Sequence, residues 1–136
     1  MDAPRDFAEF FARLSAMLNS DSRLIHRGRF IDMAFGWGIG DEVRTLNILH
    51  GKILNIDGPH ERPSRSPIFT ITASAPVWLE FSRQEPRPGH HDILAMVDER
   101  FATATGDLLP FFSNLFYVKG LLEKLRQSGI ARARNH

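Results

Sequence analysis

The chain has 136 residues, 43% of them apolar, with 17 basic and 16 acidic side chains and no cysteine. That length suits one domain, large enough to bury about two thirds of the surface its unfolded chain exposes. The missing cysteine excludes disulfides, thiolate metal sites and thiol nucleophiles, and a net charge of +1 lacks the basic excess of a nucleic-acid-binding protein.

The spacing predicts an amphipathic helix over residues 4–19. Phe7, Phe10, Phe11, Leu14, Met17 and Leu18 recur every three or four positions, Pro4 suits the first turn, and Asn19-Ser20 stops the run. Glu9 and Arg13, four apart, can pair on its outer side. Three phenylalanines on one stripe suit core packing, transient contact with a membrane surface, or a dimer contact. Asp2, Asp6 and Glu9 do not fit the basic start of a signal peptide, and no apolar run reaches the ~18 residues of a spanning helix. A cytoplasmic location is the expectation.

The period then shortens to two. Phe30, Met33, Phe35 and Trp37 fall in a first strand, and residues 43–50 alternate in a second. Lys52–Ile56 and Pro67–Ala73 give a third and a fourth. The Gly36–Gly40 cluster with Asp41 reads as the first turn, His50-Gly51 as a tight hairpin, and residues 58–67 as a polar loop. Short connections favour antiparallel pairing.

Helical patterning resumes at Ser74, a cap, with Pro76 in the first turn and Val77, Trp78 and Phe81 facing inward. His90-His91-Asp92 leads into a short helix carrying Ile93, Leu94, Met96 and Val97, and Arg100–Thr105 reads as a last strand. Gly106-Asp107 turns into a long helix from Leu108 to Leu125, whose apolar residues spread well beyond the roughly 100° arc of a surface helix. It should therefore contact the sheet and something more: a helix, a second subunit or an apolar ligand. Residues 127–136 read as a frayed basic tail. The expected fold is α+β: a mostly antiparallel five-stranded sheet covered on one face by helices.

Catalytic signatures are weak. The chain has no nucleophile elbow, phosphate loop or zinc-protease motif, and no metal or cofactor is implied. His91 and Asp92 suit a helix cap better than a metal site. Asp32, in an apolar strand, is expected on the solvent face, paired with Arg44 of the next strand. Eleven phenylalanines and two tryptophans, against one tyrosine, give an interior nearly free of hydrogen-bond donors, suited to an apolar ligand.

The stretch from Phe69 to Leu125 resembles the sterol carrier protein type 2 superfamily. The residues carrying the likeness are the strand Phe69-Thr70-Ile71-Thr72, the segment Ser74–Phe81, a short helix and a strand, and Gly106-Asp107-Leu108 opening the terminal helix. Glu99-Arg100 departs from the Gly-Arg or Gly-Lys that many members carry before the last strand, and the tail lacks a peroxisomal tripeptide. The resemblance implies a single domain over 1–136, a bacterial stand-alone member, and a non-enzymatic carrier or sensor of fatty acids, acyl chains or sterol-like lipids. It implies a hydrophobic tunnel between sheet and helices lined by Phe69, Trp78, Phe81, Phe101, Phe111, Phe112, Leu115 and Phe116. Two alternatives stand beside it: a small α+β-cone isomerase or hydrolase using a pocket Asp or His, and a dimeric interaction or regulatory domain.

Overall fold

The computed structural model describes residues 3–134. Helix α1 (Phe7–Asn19) opens where Asp6 accepts a hydrogen bond from the Glu9 amide and the Glu9 carboxylate reaches back to the Arg5 amide, two otherwise orphaned donors satisfied reciprocally. The helix thus begins after Pro4, later than the spacing suggested. Phe10, Phe11, Leu14 and Leu18 are buried in the domain's own core, so the stripe considered for a membrane or a dimer is already covered. Asp21 then caps a second helix, α2 (Ser22–Arg27), which the sequence reading did not anticipate.

Five strands follow: β1 (Asp32–Ile39), β2 (Glu42–Leu49), β3 (Lys52–Asp57), β4 (Phe69–Ala73) and β5 (Ala102–Gly106), in sheet order β3-β2-β1-β4-β5. Three pairings are antiparallel and β1 with β4 is parallel, so the sheet is mixed, though mostly antiparallel as expected. The parallel pair requires a crossover, supplied by the polar loop after β3. Arg65 in that loop bonds Asn47 Oδ1 at 2.9 Å and Asp32 Oδ1 at 2.7 Å. Asp32 is exposed as expected, but its partner is Arg65, because the pleat sends Arg44 to the opposite face.

Alternation assigns the two faces. Met33, Phe35, Trp37 and Ile39 of β1, Leu46 and Ile48 of β2, and Phe69, Ile71 and Ala73 of β4 are buried together beneath the helices. The other side of β1 carries Asp32 and, beyond it, only Ala34, Gly36 and Gly38. The glycines expected in a turn therefore lie inside a strand, and only Gly40-Asp41 makes the bend. At the sheet edge, the Asn19 amide both donates to Ile53 O and accepts from Ile53 N, tying the end of α1 to β3.

Ser74 caps α3 (Ala75–Phe81) and Asp92 caps α4 (Ile93–Asp98), both as expected. The long terminal helix is divided. Asn114, at φ −119° and ψ 30°, leaves helical geometry and turns its amide back to Pro110 O, separating α5 (Leu109–Ser113) from α6 (Leu115–Gln127). The tail expected to fray holds α7 (Ile130–Arg134), anchored by the fully buried Ile130. Among the described residues, no helix is long and apolar enough to cross a membrane.

Candidate functional site

The broad apolar arc of the terminal segment has two destinations. Tyr117, Val118, Leu121, Leu122 and Leu125 of α6 are buried, with α1, α2 and α7 as helical neighbours. The Tyr117 hydroxyl donates to Gly51 O at 2.8 Å, and burial pushes its pKa up. Leu109, Phe112 and Phe116, at the N-terminal end, instead face outward with 56–72% exposure. Part of the arc is thus helix packing and part is free apolar surface.

Between sheet and helices the aromatic rings form two strings. One joins Phe11, Trp37, Trp78 and Phe81 through ring separations of 5.1–5.5 Å, with Phe10 against both Phe11 and Trp37. A guanidinium closes each end: Arg44 lies 4.7 Å from the Phe11 ring centre and Arg126 4.6 Å from that of Phe81. The second string starts with Phe35 stacked on Phe69 at 5.1 Å, continues to Phe111 at 5.5 Å and reaches the surface at Phe112, 5.0 Å further. It connects the core to the exposed patch on α5.

These strings bring together some of the residues implied by the resemblance and separate others. Phe69, Phe111 and Phe112 share the second string, and Trp78 and Phe81 end the first. Leu115 is half-buried against the core. Phe101 lies apart, immediately before β5, stacked on the His90 ring at 4.3 Å. Phe116 points to solvent beside Arg27, 5.6 Å from its ring. Phe101 and Phe116 therefore do not line a common interior space. The rings of Trp37, Trp78, Phe10, Phe35, Phe69 and Phe111 themselves occupy the region where a tunnel was expected. A separate surface depression of about 290 Å³, bordered by Ser82, Gln84, Gly129 and Arg132, touches neither string.

Four participants were missed in the sequence: Phe10, Phe11, Phe35 and Trp37. Their signal is available as the α1 stripe, which suggests core packing, a membrane surface or a dimer contact, and as the alternation of β1, which marks a strand; neither points to a ligand path. Arg44 was missed as well, although its even spacing with Leu46 and Ile48 places it on their face.

Among the described residues, the acid–base candidates Asp32, His91 and Asp92 do not face this interior. Asp32 lies on the other side of the sheet against Arg65. Asp92 accepts from the Leu94 and Ala95 amides through Oδ1, while its Oδ2 lies 3.8 Å from Lys119 Nζ, and His91 is exposed beside it. Among the described residues, no cluster of three or more acidic or histidine side chains is arranged to hold a metal.

No protein-family model matches the sequence, and no curated protein matches it. Solved structures do. A crystal structure of sterol carrier protein 2 superposes with a TM-score of 0.69 at 12% identity, covering 87% of this chain and 94% of that one. The sterol carrier protein domain 2 of Helicoverpa armigera superposes at 0.57 with 15% identity, covering 86% of this chain and 87% of that one. The stereoselective inverting sec-alkylsulfatase Pisa1 from Pseudomonas sp. superposes at 0.56 with 17% identity, covering 85% of this chain but only 16% of the enzyme. The chain thus has the sterol carrier protein 2 fold, an open five-stranded mixed sheet with helices on one face.

Proposed function

We propose that this protein binds an apolar ligand, such as a fatty acid, acyl chain or sterol-like lipid, without catalysis, and carries or senses it as a soluble single-domain protein. The observation that carries this reading is the string Phe112–Phe111–Phe69–Phe35, a continuous apolar path from exposed surface to core on the fold of a sterol carrier. Phe112 and Leu109 form its mouth. Helix α5 is only five residues long, tied by the Asp107 carboxylate to the Leu109 amide at one end and by the Asn114 amide to Pro110 O at the other, and its outer residues Leu109 and Phe112 are exposed, which makes it the element best suited to admit a ligand. A chain entering there replaces ring-to-ring contacts with ring-to-methylene contacts, each buried methylene contributing about 0.8 kcal/mol before the cost of association.

Titration with a fluorescent long-chain fatty acid tests the proposal. Saturable binding at one ligand per chain, displaced by unlabelled fatty acid, is expected. Absence of saturable binding contradicts it.

A further inference from the structure

Trp37 of β1 and Arg44 of β2 are cross-strand partners on the helix-covered face, and both lie against Phe11. Trp37 is fully buried and Arg44 is 9% exposed. The Trp37 Nε1 and Arg44 Nη1 donors have no hydrogen-bond partner, and they are the two buried side-chain nitrogens or oxygens so left among the described residues. Comparable groups nearby are satisfied. The Trp78 indole donates to Gly38 O at 2.8 Å, while Arg126 is held by Glu123 and by the carbonyl oxygens of Phe81, Arg83 and His91.

A guanidinium stays protonated at every physiological pH, and burying it without a counter-charge is unfavourable. No carboxylate among the described residues pairs with Arg44; its recorded contact is the face of Phe11. Neighbouring positions thus supply two donors and no acceptor, beside an apolar string that continues through Trp78 to Phe81.

We propose that Arg44, assisted by Trp37 Nε1, receives the anionic head group of the ligand, so that the protein selects single-chain carboxylate amphiphiles over neutral ones of equal length. This rests on the apolar-ligand reading above and adds the polar end of the molecule. The head group takes the position over Arg44 now held by the Phe11 ring, which swings aside with the first turns of α1. The hydrocarbon chain passes Trp37 and runs along the covered face of β1 to Phe35, the preceding inward residue, where it joins the path through Phe69 and Phe111 to Phe112. A carboxylate suits the site because it is acceptor-only and can engage the guanidinium and the indole together.

The test compares laurate, dodecanol and acetate as competitors of a bound fluorescent probe, using wild-type, Arg44→Met and Arg44→Lys proteins. In parallel, ¹H–¹⁵N spectra follow the two indole N–H resonances. Wild-type protein is expected to prefer laurate over dodecanol at least tenfold, with acetate ineffective at millimolar concentration. One indole resonance should move downfield with laurate and not with dodecanol. Arg44→Met should collapse the laurate-to-dodecanol ratio to within threefold of unity, and Arg44→Lys should restore part of it.

Equal wild-type affinity for laurate and dodecanol, or a laurate preference that survives Arg44→Met, overturns the assignment while leaving apolar binding intact. Acetate competing as well as laurate overturns it in favour of a small-anion site. Failure of both laurate and dodecanol to bind overturns the apolar-ligand reading itself and this inference with it. If Arg44→Met does not fold, the wild-type ratio and the indole shift still decide the matter.

Discussion

The indole of Trp78 donates a 2.8 Å hydrogen bond to the carbonyl of Gly38, fastening α3 to β1 forty residues earlier in the chain. The bond fixes the central ring of the first aromatic string against the sheet and leaves its donor satisfied in an interior that has few acceptors. Trp78→Phe keeps an aromatic ring but removes volume and leaves Gly38 O without that partner. A loss of about 2–3 kcal/mol in unfolding free energy is expected, measured by denaturant titration. Trp37, the remaining tryptophan, reports the transition.

Gly38 also limits how closely β1 and β4 can pair. A Cβ at this position would stand 2.4 Å from Thr72 Oγ1 and 3.0 Å from Thr72 Cβ, so rotating the threonine does not clear it. Gly38→Ala should cost about 1–3 kcal/mol. Combining it with Thr72→Ala should recover part of that loss, giving a coupling of about 1 kcal/mol in a double-mutant cycle. Strict additivity would contradict the contact.

Asp21 serves two helices. One carboxylate oxygen caps α2 through the Leu24 amide and the other holds the Lys124 ammonium of α6, which is 6% exposed. The hydrogen bond from Lys124 leads in holding the Asp21 carboxyl below the ordinary carboxylate range. Because the folded-state pKa is depressed, the stabilisation is complete above the unfolded value of about 3.9 and is lost as pH falls through the lowered one. Asp21→Asn keeps a capping oxygen and removes the charge. It should lower stability by about 1–2 kcal/mol at pH 7, the partial exposure of Asp21 tempering the effect. Thermal melts across pH should show this gap constant from 7 to 5 and closing only below the ordinary carboxylate range.

Phe111 and Phe112 are adjacent in sequence and opposite in role. Phe111 is buried between Phe69 and Phe112, so Phe111→Ala should destabilise by about 3–4 kcal/mol. Phe112 is 56% exposed, so Phe112→Asp should change stability by no more than about 0.5 kcal/mol. If Phe112 forms the mouth of the path, the same substitution slows or weakens uptake of a fluorescent fatty acid at least fivefold. Unchanged uptake kinetics would place the mouth elsewhere.

Much of this architecture was legible in the sequence because local chemistry determines it. Ser74 and Asp92 cap the helices they precede, and His50-Gly51 turns with both residues at positive φ. The misreadings share a cause: residues whose partners are distant. Gly36 and Gly38 look like a turn until Thr70 and Thr72 of β4 are set beside them. Asn114 breaks a helix whose apolar periodicity continues through it. Arg44 was paired by charge with Asp32, although the two-residue period puts them on opposite faces. Among the candidate ligand residues, periodicity marked Phe111, Phe112 and Phe116 alike as apolar. Only packing separates the buried one from the two at the surface.

Native mass spectrometry of the freshly purified protein, followed by organic extraction, tests the central claim most directly. A bound apolar molecule at one per chain, diminished in Phe112→Asp and recovered in the extract, is the predicted result. A protein that carries no such adduct and also takes none up from added long-chain fatty acid would contradict the account. The two aromatic strings would then be a filled core and nothing more.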